Sequence, residues 1–192
     1  MIKTESFEQV EIISKTQLRE WLLNNHSKNE SVWLVTYKKE TLEKYVSVQE
    51  VLDELLCFGW IDGIRRKLDE KRTMQLIAPR KVEHWAQTYK DRFAKLELLG
   101  LVHRSGFDSV VASKKSGLWN FMDDVDALIK PDDLIKCLNE HPPAMHYFEA
   151  FSKSNKRFIL RWIKLAKTQT TRQKRILETT ILASKNLKIP GL

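Results

Sequence analysis

The sequence predicts an α+β fold: an antiparallel sheet of about four strands packed with helices, followed by a C-terminal all-helical unit. Three observations predict it. Strand-like segments are confined to the first half of the chain. A polar tetrapeptide, "DEKR" at Asp69–Arg72, joins two of them as a hairpin. Beyond about residue 130 the apolar spacing is helical throughout, and strands followed by helices give α+β rather than an alternating α/β fold. The expected organisation is an α+β domain over residues 1–125 with a basic helical unit, 126–192, packed on it.

Taken in order, Phe7–Ile13 is the faintest strand signal. Thr16 can cap a short helix that carries Leu18, Trp21 and Leu22 on one face. "SVWLVTY", Ser31–Tyr37, is apolar on both alternating faces, so it is expected at the centre of the sheet. Ser47 with Glu50 forms a capping box, and Val48, Val51, Leu52, Leu55 and Leu56 then hold one helical face. Gly59 stops that helix, and Trp60-Ile61-Asp62 opens a second strand that continues through "GIRRKLD". The third strand, "TMQLIAPRK", ends at Pro79. His84–Leu99 reads as a helix with Trp85, Tyr89, Phe93 and Leu96 in register, and another helix covers roughly 103–115. "WNFMDDVDALIK", 119–130, is acidic and turn-like and reads as a linker. Pro131 suits the first position of a helix bearing Leu134, Ile135 and Leu138. Pro143 opens a helix with Tyr147, Phe148 and Phe151. Residues 154–168 align Phe158, Ile159, Trp162, Ile163 and Ala166, and a last helix starts near Thr170 with Ile176, Leu177, Thr180 and Ile181.

The stretch "LCFGWIDG", Leu56–Gly63, concentrates the chain's unusual residues: two of six glycines, one of two cysteines and one of six tryptophans. One reading makes it a corner of the fold. Gly59 and Gly63 let a helix enter a strand sharply, Trp60 fills the junction, and Asp62 caps or pairs with Arg65, Arg66 or Arg80. The other lines a ligand pocket with Trp60, Asp62, Arg80 and Trp85, or, as an alternative function, the site of a small enzyme around Trp60, Asp62 and Arg80. Cys57 lies among apolar residues, where a thiol stays protonated and inert. The five histidines (His26, His84, His103, His141 and His146) have no metal-ligand spacing. Neither a GxSxG elbow nor a Gly-rich phosphate loop occurs. No catalytic residue, metal or cofactor is therefore assigned.

The net charge of +8 is unevenly placed: residues 151–192 carry eleven Lys/Arg against one acid, Glu178. Arg157, Arg161 and Lys164 fall at i, i+4 and i+7, and Arg172 and Arg175 continue the theme, a stripe suited to phosphate contacts. An anionic ligand, a nucleic acid or a protein partner is the class this implies, with a non-enzymatic binding role favoured and the oligomeric state open. No segment is apolar enough to span a membrane or to read as a secretory signal, which places the chain in the cytoplasm by expectation.

"LCFGWIDG" after a helix, "APRK" some fifteen residues on, a Trp soon after it and "IKLAKTQTTRQKRI" near the end together resemble the YdeI/OmpD-associated, or bacteriocin-protection, proteins over roughly residues 7–187. The resemblance implies a link to resistance against cationic antimicrobial peptides and to an outer-membrane porin, and it carries over no catalytic residue. Around Trp85 the chain departs from the family's pattern: members often have a Ser before that Trp, a Ser after it and an Asn four on, where this chain has Glu83, Ala86 and Tyr89. The cysteine spacing implies two reduced thiols. Thiol titration in denaturant without reductant should count two, and a count of zero would contradict a reducing environment.

Overall fold

The computed structural model describes residues 6–187 and Ile189. The chain divides into two compact units, Met1–Asn120 and Phe121–Leu192.

In the first unit β1 (Gln9–Glu11), α1 (Lys15–Asn25), β2 (Val32–Tyr37), α2 (Val48–Cys57), β3 (Trp60–Lys67), β4 (Arg72–Pro79), α3 (Gln87–Leu98) and α4 (Arg104–Lys115) follow one another. The four strands form one sheet in the order β1-β2-β4-β3. β2 pairs antiparallel with β4 (Val32 opposite Ile77), as does β3 (Trp60 opposite Pro79). The exception to the antiparallel expectation is β1, which runs parallel to β2 with Gln9 opposite Trp33. The physical reason is the intervening α1: a helical crossover returns the chain in the same direction, whereas a hairpin would reverse it. The same logic makes β2 and β3 co-directional around α2, with β4 inserted between them.

β2 is central and buried on both faces. Val32 and Leu34 join the core with Leu18 and Leu22 of α1, Val51, Leu55 and Leu56 of α2, and Phe93 and Leu96 of α3. Trp33 and Val35 point the other way and are buried too, with the Arg66 guanidinium 5.3 Å from the Trp33 ring. The capping box forms as its sequence implies: Ser47 Oγ accepts from the Glu50 amide while Glu50 Oε2 accepts from the Ser47 amide. α1 is capped two positions before Thr16, by Ser14, whose Oγ accepts from the Gln17 amide.

The α2–β3 corner rests on glycine. Gly59 has φ +72°, and a Cβ there would lie 2.8 Å from the Ser105 carbonyl oxygen. Across the same contact, a Cβ on Gly106 would lie 2.3 Å from the Cys57 carbonyl oxygen. The start of α4 is thereby fastened to the end of α2. The His103 amide donates to the Cys57 carbonyl at 2.9 Å and Ser105 Oγ donates to the Phe58 carbonyl at 2.9 Å.

The helix expected from His84 begins only at Gln87. Residues 80–86 are irregular because Trp85 is spent on the core: its ring sits 5.0 Å from Trp119 and 6.0 Å from Phe93, and its Nε1 donates to Ser113 Oγ at 2.9 Å.

In the second unit α5 (Asp123–Asp126), α6 (Asp132–Asn139), α7 (Ala144–Ala150), α8 (Lys153–Lys164) and α9 (Gln169–Ser184) surround their own core, including Leu134, Leu138, Phe148, Ile159, Leu160, Ile163 and Ile176. The segment read as a linker is part of it. Met122 and Val125 are buried at i and i+3 while Asp123 of α5 is exposed. Among the residues placed on apolar faces by spacing, Ile176 and Thr180 are buried as expected, whereas Phe158, Leu177 and Ile181 are exposed; Leu160 is buried though the spacing did not place it there.

Gly117 (φ +75°) offers a control for the corner, because a Cβ there meets nothing within 4 Å. Gly117→Ala should cost about 1–2 kcal/mol for the left-handed backbone alone. Gly59→Ala should cost that plus roughly 1–3 kcal/mol for the forced contact with Ser105. Denaturant melts giving equal losses would remove the fastening from the account.

Candidate anion-binding site

β3 and β4 deliver the site's first groups. In a regular strand Asp62 and Arg65, three residues apart, would face opposite sides of the sheet. A bulge between them sets Asp62 opposite Ile77 and Arg65 opposite Gln75, so both side chains reach Gln75. Arg65 Nη2 donates to Gln75 Oε1 at 2.6 Å and Gln75 Nε2 donates to Asp62 Oδ2 at 3.2 Å. The second Asp62 oxygen, Oδ1, accepts from the Tyr89 hydroxyl at 2.8 Å. Asp62 is thus held by an amide and a phenol, and none of Arg65, Arg66 or Arg80 hydrogen-bonds to it among the described residues.

Arg80 follows Pro79 at the end of β4, with its amide donating to the Gly59 carbonyl at 2.8 Å. Its side chain is 3% exposed. The guanidinium carbon stacks 4.1 Å from the centre of the Trp85 ring and 5.4 Å from that of Tyr89. Nη2 donates to the His84 carbonyl at 3.3 Å and lies 3.7 Å from Glu83 Oε1. Nε and Nη1 are buried and have no hydrogen-bond partner among the described residues. The ring faces offset part of the charge, yet they supply no acceptor in the guanidinium plane. Burial pushes the Arg80 guanidinium down from its ordinary value, while Glu83, Tyr89 and Asp62 push it back up.

Tyr89 is pushed up to about 12, first by burial and then by its bond to Asp62. It is a proton donor in this site, and the stacking face for Arg80 besides.

The structure therefore brings Asp62, Arg80 and Trp85 into one constellation through Tyr89. Trp60 has other partners: its Nε1 donates to the His26 carbonyl at 3.3 Å and its ring meets Trp21 edge-on at 5.5 Å. Tyr89, Gln75 and Glu83 were missed as site residues by sequence reasoning. Tyr89 fell into the apolar stripe of a helix, and its hydroxyl was the available signal.

Next to the corner, Arg19 Nη1 donates to Glu54 Oε2 at 2.8 Å and its Nη2 to the Leu101 carbonyl at 2.8 Å. The Cys57 thiol is pushed up to about 11 by burial, with Glu54 adding to it, so it remains a thiol at neutral pH. His103 stacks on Phe58 at 5.0 Å and lies 4.6 Å from His26; burial lowers its pKa, with His26 adding to the effect.

In the second unit the basic residues of the sequence stripe meet partners inside the unit. Lys164 Nζ donates to Asp124 Oδ1 at 2.5 Å, and Arg157 lies 3.7 Å from Asp126. Arg172 grips Asp133 with two hydrogen bonds, 2.7 and 2.8 Å, which holds that carboxyl below its usual range. Arg175 donates to the Trp162 carbonyl and stacks 5.0 Å from the Trp162 ring, and Arg161 also interacts within the protein. The acidic turn around α5 is thus the counterpart of part of the basic stripe on α8. Among the described residues no group of three or more His, Cys, Asp or Glu could hold a metal ion, and no helix is long and apolar enough to cross a membrane.

Tyr89 offers a direct check on this geometry. Its folded pKa, about 12, lies above the ordinary value near 10, so its contribution to stability is complete below about pH 10 and is lost as pH rises through about 12. Phenolate absorbance should show one group ionising near pH 12 that disappears in Tyr89→Phe. Ionisation of all tyrosines near 10 would contradict its burial against Asp62.

Two families match the chain. Residues 127–186 match the family described as bacteriocin-protection, YdeI or OmpD-associated, which takes in the "IKLAKTQTTRQKRI" motif. Residues 10–109 match a domain of unknown function, DUF8412, which takes in "LCFGWIDG", "APRK" and the whole constellation around Arg80. No curated protein and no solved structure matches. The chain belongs to the DUF8412 family through residues 10–109, and residues 127–186 are similar to the YdeI/OmpD-associated family.

Proposed function

We propose that the first unit is a binding module for a small ligand bearing a carboxylate or phosphate group, with Arg80 as the residue that receives the anion. One observation carries the reading: a guanidinium that is 3% exposed and has two buried nitrogens, Nε and Nη1, without acceptors. Buried charged donors left unpaired are costly, and such costs concentrate where a ligand supplies the missing partner. Trp85 and Tyr89 keep the guanidinium plane oriented. The chemistry supported is binding, since Tyr89 holds its proton and Cys57 stays a thiol. The description of the family that residues 127–186 match supports a setting in protection against bacteriocins.

Arg80→Met separates this reading from a purely structural role. In anion-free buffer it should melt at or above the wild type, because an unsatisfied buried charge, worth about 1–3 kcal/mol, is removed. Titration with inorganic phosphate, acetate and larger carboxylates should stabilise the wild type, by about 2.7 kcal/mol at a hundredfold excess over Kd, and leave the variant unmoved. An equal response in both proteins, or none in either, would overturn the reading.

A further inference from the structure

Besides the Trp85 and Tyr89 ring faces, the Arg80 guanidinium has two polar neighbours, both from the strap of residues 80–86 and both on one nitrogen. His84 accepts from Nη2 through its carbonyl at 3.3 Å, and Glu83 Oε1 stands 3.7 Å from the same atom. A guanidinium offers a carboxylate or phosphate two flat, two-pronged edges: Nε with Nη2, and Nη1 with Nη2. Both edges share Nη2. That atom carries two N–H groups, one toward each edge, and the His84 carbonyl takes one of them, so one two-pronged edge keeps both its donors, with Nε and Nη1 unpartnered. At 3.7 Å Glu83 is beyond hydrogen-bond range, so it neutralises charge without satisfying a donor.

Glu83 is also the part of this arrangement best able to leave. Its side chain is 37% exposed, so it can turn to solvent at little desolvation cost. The neighbouring Trp85 cannot: it is fully buried and bonded to Ser113. The strap is anchored at Trp85 and at the end of β4, with its one acid on the anion-binding residue.

We propose that Glu83 is a built-in competitor for the anion site: its carboxylate occupies the electrostatic place of the ligand's anion and leaves when the ligand takes a two-pronged edge of Arg80. This inference rests on the anion-binding reading above. It makes Glu83 a residue that sets affinity and selects ligands able to engage both prongs over singly bonded ions.

The test uses the full chain at low, constant ionic strength, titrated with acetate and inorganic phosphate. The readout is the nitrogen-15 resonance of the Arg80 Nε–H group, assigned by its loss in Arg80→Met. Glu83→Gln keeps the shape and removes the charge; it should raise the affinity for both probes by about two- to fivefold, the worth of a half-exposed ion pair. Glu83→Ala should do the same, which guards against a defect peculiar to the amide. Glu97→Gln, the same charge change at an exposed position of α3, should leave affinity unchanged. If Glu83→Gln and Glu83→Ala bind as the wild type or more weakly, or if Glu97→Gln raises affinity equally, the competitor role fails while anion binding at Arg80 stands. If the Arg80 resonance answers to neither probe in any protein, the anion-binding reading itself fails, and the competitor with it.

Discussion

The α2–β3 corner is the constraint on which the rest of the first unit depends. Gly59 takes a left-handed backbone where α2 must become β3 within two residues, and Gly106 lets α4 approach so closely that any side chain would strike the Cys57 carbonyl. The hydrogen bonds follow from that approach. The carbonyls of Cys57 and Phe58, which the end of a helix leaves without intrahelical donors, take the His103 amide and the Ser105 hydroxyl. The next carbonyl, of Gly59, takes the Arg80 amide. One turn of backbone therefore sets the register of β3 against β4, the position of α4 and the starting point of the residue at the centre of the candidate site.

From that starting point Arg80 is carried into an environment that treats its two properties differently. Its charge is partly compensated by the faces of Trp85 and Tyr89, which are electron-rich and rigid. Of its in-plane nitrogens only Nη2 has an acceptor among the described residues, the His84 carbonyl, while Asp62 is engaged by Gln75 and Tyr89. A fold seeking only stability would turn Asp62 onto Arg80. Instead the bulge in β3 brings Arg65 to the Gln75 oxygen, and the Gln75 nitrogen turns to Asp62.

The second unit treats charge in the opposite way. Arg172 has both prongs on Asp133, Lys164 and Arg157 face the aspartates of α5, and Lys130 and Lys156 both reach Glu149. These cations rest on acids within the unit, and Arg175 on the Trp162 ring. Part of the positive charge in the last fifth of the chain is answered by acids that lie earlier, in a segment whose composition looked like a linker.

How much of this was legible beforehand follows from the range of each interaction. The capping box at Ser47 and Glu50, the stop at Gly59, the double-sided burial of β2 and the end of β4 at Pro79 were all readable, because each is decided within a few residues by backbone geometry or side-chain alternation. The parallel pairing of β1 was less so; it depends on where α1 returns the chain. The irregular start before α3, the place of Met122 and Val125 in the second core, and the exposure of Phe158 depend on which surface a helix meets, and spacing alone is silent on that. At the site, Asp62, Arg80 and Trp85 could be named from their neighbourhood in the chain, while Trp60 went to His26 and Trp21 instead. Tyr89 as the link, Gln75 as the bridge and Glu83 as the facing acid were decided by tertiary structure. Local dihedral preference is written in residue type, but whether a polar atom finds a partner depends on chain segments brought together only by the fold.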